Sequence, residues 1–407
     1  MDFYTELSTR RLVSQATHAD QTEKLFSQNQ NVRVYTGFDP TANSLHVGHL
    51  IPIMGLARAQ KAGHHPIALI GGGTAIVGDP SGKSEMRKML TREEINNNAD
   101  AIKNQLSNFI DFDNNKATIV NNLDWLSELN YLEMLRDIGR HFSVNRMLTA
   151  ECFKARMESG LSFLEFNYMI LQAYDFLHLH REYDCKVQLG GDDQWSNMIA
   201  GTDLIRRVVS KEAYAITYPL LTTSDGKKMG KTEGGAVWLD PTLTSPYEYF
   251  QYWRNVPDDK VADCLSYFTF LSNEEVTKLS EYKDQEINKA KEVLAFEATK
   301  ILHGEDEANS SKEAALAAFS KGTKRQNIPT TTLDSTSFEN DFLVTELIRL
   351  AGFSASNNEG RRLIKGGGIY INGERIENLD ATLTRDTLKA GVELRKGKKH
   401  HHLFNLT

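Results

Sequence analysis

Two histidines three residues apart, His46 and His49, bound the segment His46-Val47-Gly48-His49. It follows the apolar run Arg33-Val34-Tyr35-Thr36-Gly37-Phe38. The run reads as a strand, and residues from about Leu45 to Ala62 read as the helix after it. Asn43 or Ser44 can cap that helix and Gly63 can end it. Side chains three apart share a helix face. Here the face belongs to the first turn, where backbone N–H groups and the positive dipole end favour an anion. Neutral imidazoles there can donate to phosphate without opposing the dipole. Far downstream lies Thr223-Ser224-Asp225-Gly226-Lys227-Lys228-Met229-Gly230-Lys231-Thr232-Glu233-Gly234-Gly235, rich in glycine and lysine. It reads as a cationic loop suited to closing over polyphosphate. Two anion-handling devices in one α/β domain suggest a nucleotide whose phosphates are cut.

The elements that must position these groups alternate. A second apolar strand, Pro66-Ile67-Ala68-Leu69-Ile70, ends in Gly71-Gly72-Gly73. Strand, helix, strand with short links predicts a parallel crossover and a doubly wound, Rossmann-like α/β sheet, with ligands at the carboxyl ends of its strands. One decoy is Gly78-Asp79-Pro80-Ser81-Gly82-Lys83-Ser84, whose first glycine is one residue too close to be a P-loop. Residues 85–160 read as mostly helical and charged. Ser162-Phe163-Leu164-Glu165 is a capping box opening a helix to about His180. That helix is apolar almost all round, hence buried. Yet Tyr168, Gln172 and Asp175 form one polar stripe on it. Buried polar groups need partners, so the stripe either satisfies itself or faces a polar ligand. A further strand, Cys185-Lys186-Val187-Gln188-Leu189, brings Gly190-Gly191-Asp192-Asp193-Gln194 to the same sheet edge.

At 407 residues the chain has room for two or three domains. The first residues carry no basic region followed by an apolar run, and no stretch reaches membrane-spanning length. Cys152, Cys185 and Cys264 are far apart and odd in number, which reads as free thiols in a reducing compartment. A soluble cytoplasmic protein is expected. The net charge is −7, but residues 360–407 hold ten Lys/Arg against five Asp/Glu, a net of +5, leaving −12 elsewhere. A basic end on an acidic body suits a protein that touches RNA with one region. That end has a folding pattern: a helix through Leu343, Leu347 and Leu350, a capping box at Ser356–Glu359, and a short helix with Arg361, Arg362 and Lys365 stopped by Gly366. Ile369 to Ile376 then reads as a hairpin with Asn372-Gly373 at its turn. His400-His401-His402 reads as strand surface, not a metal site.

Together these segments resemble the class I aminoacyl-tRNA synthetases. His46-Val47-Gly48-His49 is similar to their HIGH motif, and Lys228-Met229-Gly230-Lys231-Thr232 to their KMSKS loop. Tyr35–Thr41, Gly78–Lys83, Asn167–Asp175 and Gly190–Trp195 narrow the resemblance to the bacterial tyrosyl-tRNA synthetase family, in order and over nearly the whole chain. The resemblance implies attack of the tyrosine carboxylate on the α-phosphorus of ATP. Tyrosyl-adenylate and pyrophosphate form, and the tyrosyl group then passes to the 3′-terminal ribose of tRNA(Tyr). A carboxylate needs no general base, so catalysis rests on positioning and charge stabilisation.

The resemblance assigns His46, His49, Lys228, Lys231 and Thr232 to the departing pyrophosphate, with Lys83 and Arg87 as further phosphate groups. Tyr35 and Asp175 would hold the phenolic hydroxyl, with Thr74 in the same pocket. Asp79, Tyr168 and Gln172 would hold the α-amino group, with Gln194 near the carboxyl end. Gly37, Asp39, Thr41, Gly48, Gly191, Asp193 and Lys231 would line the ATP site. Arg361, Arg362 and Lys365 would contact RNA in an S4-like α+β domain. Mg²⁺ would accompany ATP as substrate, with no tightly bound cofactor and no protein metal site. Val47 stands for the motif's isoleucine, and Gly230 for its serine, adding loop freedom. The implied domains are a catalytic domain (1–244, loop 223–235), a helical anticodon-side domain (245–325), a linker (326–340) and the S4-like domain (341–407). A homodimer through residues 142–147 and 161–164 is also implied, with no membrane or DNA partner. The rivals are a tryptophanyl-tRNA synthetase, which the Tyr35/Asp175 pairing opposes, and a non-catalytic RNA-binding descendant, which would have little reason to retain both histidines and both lysines.

Overall fold

The structure is a computed structural model and describes residues 1–81, 90–222, 229–232, 235–319, 329–333, 342–397 and 400–406. It separates into two compact units, residues 1–305 and 306–407.

The first unit is built on six strands: β1 (Gln15–Ala16), β2 (Arg33–Phe38), β3 (His65–Ile70), β4 (Thr118–Asn121), β5 (Cys185–Gly191) and β6 (Tyr214–Tyr218). Their order is β1-β6-β5-β2-β3-β4, parallel throughout except for the short β1. Parallel neighbours need a crossover, and the Leu50–Lys61 helix supplies it between β2 and β3. β3 is buried at all six positions, as a strand covered on both faces must be. From β2 the chain builds outward through β3 to β4 and later adds β5 and β6 on the other side. The order therefore reverses between β2 and β5, and a crevice beyond their carboxyl ends is the expected ligand position.

Two strands escape the sequence reading. β4 lies inside residues 85–160, which read as helical. Its run Thr118-Ile119-Val120-Asn121 is β-branched but too short to stand out among charged helices. β6 carries the half-aromatic run Tyr214-Ala215-Ile216-Thr217-Tyr218. The helix after β2 also begins differently. A single 3₁₀ turn, Val47–His49, precedes it, and its N-cap is His46. Ser44 does not cap it: its buried hydroxyl accepts from the Asp240 N–H at 3.2 Å and donates to the Leu45 carbonyl at 2.7 Å. Gly63, at φ +83°, ends the helix as expected.

The buried helix spans Phe163–Tyr183 and does open with the Ser162/Glu165 capping box. Glu165 also accepts from Arg156 Nε and Nη2 at 2.8 and 3.1 Å, a bidentate ion pair with both side chains buried. This fixes the helix end from which the polar stripe is aimed. A core of Tyr35, Ile67, Phe176, Leu177, Leu204 and Ile205 locks the helix between the sheet and the Trp195–Val209 helix. The Leu50–Lys61 helix is anchored from its other end by Arg58. That guanidinium is buried, donates to Glu6 at 2.8 Å, and reaches the Ser266, Tyr267 and Thr269 carbonyls at the end of the Val261–Phe268 helix. Beyond Ser245 the unit is helical, as the sequence predicts. Between them lie β7 (Lys231–Thr232) and β8 (Gly235–Ala236), an antiparallel pair.

The second unit holds β9 (Thr330–Leu333), β10 (Phe342–Leu343), β11 (Ile369–Ile371), β12 (Glu374–Arg375), β13 (Thr382–Leu383), β14 (Val392–Lys396) and β15 (His400–Leu406). Five form a sheet in the order β12-β11-β14-β15-β9, and β10 pairs with β13. The Val344–Leu350 and Asn357–Lys365 helices contribute to its core with Leu347, Ile348 and Ile364. The predicted hairpin is present, with Asn372 at φ 50° and Gly373 at φ 91° in the turn. One expectation is corrected. Residues 330–333, assigned to a linker on composition, form β9 parallel to β15. Three consecutive threonines are polar, but their β-branching suits a strand.

Candidate active site

The stripe on the buried helix faces the ends of β2, β3 and β4. Asp175 is 1% exposed, yet each carboxylate oxygen has a donor at 2.8 Å: Asn122 Nδ2 on one and Trp125 Nε1 on the other. Asn122 Nδ2 also donates to Thr74 Oγ1 at 3.0 Å. Thr74 donates to Asp39 Oδ1 at 2.8 Å, and Tyr168 Oη donates to Asp39 Oδ2 at 2.9 Å. The structure thus binds Asp39, assigned to the ATP set, to two residues of the tyrosine set. Gly71 permits it, since a Cβ there would stand 2.0 Å from Asp39 Oδ1. Tyr35, 1% exposed, stacks its ring at a tilt on Phe176. Its hydroxyl is buried without a hydrogen-bond partner among the described residues. Burial first, then the Asp175 charge, hold the Tyr35 hydroxyl well above its ordinary pKa, so it remains a donor.

A second network lies alongside. Asp79 accepts from the Ser81 N–H and from Gln194 Nε2, both at 2.9 Å. Asn197, 1% exposed, sends its amide toward Ser81 Oγ, Gln172 Oε1 and Gln194 Oε1 at 3.2 Å each. Asp79, Gln172 and Gln194 therefore converge, with Asn197 as the hub. Gly37 is exposed beside buried neighbours on β2, and a Cβ on Gly48 would stand 2.7 Å from the His46 ring. Asp193 folds against Gly191, where a Cβ would meet its Oδ1 at 2.8 Å. Thr41 is exposed, and its backbone N–H donates to the Asp39 carbonyl.

The histidines cap their own turn. His46 Nδ1 accepts from the Gly48 N–H at 3.0 Å, and His49 Nδ1 accepts from the His46 N–H at 3.2 Å. A ring nitrogen that accepts carries no proton, so both imidazoles are neutral and carry their hydrogen on Nε2. The rings lie 4.1 Å apart. The turn is strapped to the chain after the lysine loop: Val47 N–H donates to Val237, Leu239 N–H to Leu45, and His46 bridges to Trp238. Gly230 refines the sequence reading. It sits at φ +95°, and a Cβ there would stand 2.9 Å from the Gly48 nitrogen. Glycine serves close approach of the two signature segments, beyond loop freedom. Lys83, Arg87 and Lys228 lie outside the described residues. Lys231 and Thr232 are described as the backbone of β7 only.

In the second unit, Arg362 and Lys365 are exposed on the Asn357–Lys365 helix, and Arg361 pairs with Asp380 at 2.9 Å. Among the described residues no three His, Cys, Asp or Glu are placed to hold a metal, and no helix is long and apolar enough to cross a membrane.

Residues 27–320 match the family described as tRNA synthetases class I (W and Y), and residues 320–404 match the Tyrosine–tRNA ligase SYY-like C-terminal domain. The Tyrosine–tRNA ligase of Acetivibrio thermocellus is 54% identical over 404 residues, covering 99% of each chain. The chain belongs to the class I tyrosyl-tRNA synthetase family. Tyrosine–tRNA ligase 1 of Clostridium acetobutylicum is 56% identical over 98% of this chain and 97% of its own. Among solved tyrosyl-tRNA synthetases, a C-terminally truncated mitochondrial one from Aspergillus nidulans superposes with a TM-score of 0.70 at 31% identity, over 77% of this chain and 93% of that one. A tryptophanyl-tRNA synthetase from Encephalitozoon cuniculi, at 15% identity and a TM-score of 0.57, shares the fold. Ser81 lies within the Gly78–Lys83 segment without a role assigned from sequence; within this tyrosyl-tRNA synthetase family member, the partners missing from the sequence reading are Asn122, Trp125 and Asn197. None belongs to a spacing pattern. Asn122 directly follows β4, and Asn197 lies two residues beyond the Gly190–Trp195 segment; that adjacency is the signal that could have found them.

Proposed function

We propose that the chain is a tyrosine–tRNA ligase that activates L-tyrosine with ATP and transfers the tyrosyl group to tRNA(Tyr). The observation that carries this reading is the pair at the pocket floor. A buried, protonated Tyr35 hydroxyl stands near a carboxylate already oriented by Asn122 and Trp125. A phenol placed between them donates to Asp175 and accepts from Tyr35. Phenylalanine leaves both groups unpaired, and that penalty is the basis of selection. Asp79, Gln172 and Tyr168 take the α-amino group, and Gln194 lies toward the carboxylate. ATP occupies the crevice over Gly37, Gly48 and Gly191, beside Asp39, Thr41 and Asp193. The Nε2–H groups of His46 and His49, with Lys231, Thr232 and the loop lysines, stabilise charge on the departing pyrophosphate. Mg²⁺ arrives on the ATP phosphates, since this ion keeps mostly water and phosphate oxygens. ATP–pyrophosphate exchange with each of the twenty amino acids tests the reading. Tyrosine is expected to support it, and a better response to tryptophan would reject the pocket assignment.

His46→Ala removes a donor that acts as pyrophosphate departs. It should lower kcat and kcat/KM for adenylate formation together, by roughly 10²–10³-fold, with tyrosine affinity little changed. Equilibrium tyrosine binding beside pre-steady-state adenylate formation separates this from a variant that merely loosens tyrosine.

Burial pushes Asp175 up to about 7, opposed by the Asn122 and Trp125 hydrogen bonds, with Asp39 adding repulsion. The substrate phenol donates to the ionised form, so tyrosine affinity should fall as pH drops below about 7. The stability term has the opposite slope. A carboxyl raised in the fold contributes stability that is complete below 3.8 and lost as pH rises through about 7. Asp175→Asn should remove both dependences. Calorimetric titration with tyrosine and denaturant melts, each from pH 5 to 8, measure them.

We also propose that the catalytic unit pairs with a second copy. In the segments 142–147 and 161–164, Val144 and Phe163 are each more than half exposed and Leu164 more than a third, which supports an interaction surface there. Phe163 begins the same helix that carries Tyr168, Gln172 and Asp175. We assign this face to a homodimer. Light scattering at micromolar concentration should give about 92 kDa, twice the 45.9 kDa chain; a stable particle of the chain mass would reject it. We further assign residues 1–244 to catalysis, 245–325 to the anticodon side of tRNA, and Arg361, Arg362 and Lys365 to its backbone. We also assign the enzyme to the cytoplasm, a reading supported by its three free buried cysteines.

A further inference from the structure

The C-terminal sheet carries a row of side chains that none of these assignments uses. Directly paired positions across β12, β11, β14 and β15 are Arg375, Tyr370, Arg395 and His401. Strand alternation turns Ile369, Ile371, Val392 and Leu394 into the core, which leaves this row on the opposite face. The Arg395 guanidinium carbon lies 4.2 Å from the centre of the Tyr370 ring. Arg375 is exposed and runs along Gly367, where a Cβ would stand 1.9 Å from its Nη2. Gly367 belongs to the turn that follows the Asn357–Lys365 helix, so the row continues from the end of the basic helix. At the far end His401 Nδ1 lies 2.7 Å from Glu393 Oε1, which leaves the two arginines and the ring as the cationic, planar part.

The basic helix and this row have different chemistry. Arg361, Arg362 and Lys365 supply charge with no ring among them. The sheet row supplies a phenol ring with a guanidinium plane over it and a second guanidinium beside it. Stacking of an unpaired base on an aromatic ring or an arginine plane, with N–H groups facing the phosphates, is how proteins hold unstacked RNA. We propose that Tyr370, Arg395 and Arg375 form a stacking platform for one unpaired nucleotide of the bound tRNA, apart from the helix's backbone contacts. This rests on the reading of the C-terminal unit as RNA-binding.

The test uses the full-length chain and tRNA(Tyr), with affinity measured across a salt series and adenylate formation as a control. Tyr370→Ala should weaken binding roughly 5- to 100-fold with the salt slope unchanged, because stacking releases no counterion. Tyr370→Phe should bind as wild type does. Arg395→Lys, which keeps the charge and loses the plane, should weaken binding without changing the slope. Arg395→Ala should also reduce the slope by about 0.7–0.9. Adenylate formation should be unchanged in all four. If Tyr370→Ala binds normally while the Arg361→Ala/Arg362→Ala/Lys365→Ala triple variant binds weakly, the platform is wrong and the RNA reading stands. If neither changes affinity, the RNA reading itself fails. Loss of affinity in Tyr370→Ala together with the salt slope and the unit's thermal transition would show a purely structural residue, and overturn the platform.

Discussion

Asp175→Ala is expected to lower kcat/KM for tyrosine in ATP–pyrophosphate exchange by roughly 10²–10⁴-fold, a loss of about 3–5 kcal/mol. The size follows from what the truncation leaves behind. Asn122 Nδ2 and Trp125 Nε1 each lose an acceptor at 2.8 Å. The substrate hydroxyl loses its acceptor too and keeps only Tyr35, whose own hydroxyl has no other partner among the described residues. Several polar groups are then desolvated and unpaired at once, and such costs exceed the net value of a hydrogen bond. Stability should change less. Removing a carboxylate whose burial raises its pKa to about 7 relieves desolvation while it strands the two donors. Phenylalanine supplies the internal control. It makes no hydroxyl contact, so its poor kcat/KM should hardly change, and the tyrosine-to-phenylalanine ratio should collapse. A variant that retained tyrosine kcat/KM within about threefold of wild type would remove Asp175 from substrate recognition.

The asymmetry between the legible and illegible parts of this pocket has a physical source. Tyr168, Gln172 and Asp175 stand out because they break an otherwise apolar helix at helical spacing, a pattern contained in eight consecutive residues. Their partners come from other strand ends. Asn122 is 53 residues from Asp175, Trp125 is 50, and Asn197 is 25 from Gln172. A single asparagine has no period, and its role exists only once the sheet order brings β3, β4 and β5 around the helix. The histidine turn is a milder case. The sequence locates the anion-binding turn and the neutral rings, but the assignment of both hydrogens to Nε2 needs the two backbone donors that the fold aims at Nδ1. Gly230 shows the same limit. Its place in the lysine loop is plain in the sequence, whereas its contact with Gly48 depends on the bridge from His46 to Trp238. In the second unit, the Asn-Gly hairpin was legible from turn chemistry alone. β9 was not, because its only ladder partner among the described residues, β15, begins 67 residues later than Leu333.

That last pairing decides where the chain should be cut. A truncation at residue 341 would leave β9 behind without its sheet, whereas a chain ending at Ser320 removes the whole five-stranded sheet and stops where the catalytic family match ends. The shortened chain keeps every residue assigned to tyrosine, ATP and pyrophosphate. Its ATP–pyrophosphate exchange should therefore stay within about threefold of the full chain. Aminoacylation should fall at least about 100-fold in kcat/KM for tRNA(Tyr), because the deletion removes Arg361, Arg362, Lys365 and the whole net +5 charge of residues 360–407 on an acidic chain. The defect should sit in the KM for tRNA and shrink at low salt, where the remaining cationic contacts bind more strongly. Exchange and charging assays on one preparation separate the outcomes. Unchanged charging would mean that the C-terminal unit has no part in RNA binding. Loss of exchange as well would mean that the catalytic unit depends on the C-terminal one to fold, against the separation of residues 1–305 and 306–407 into two compact bodies.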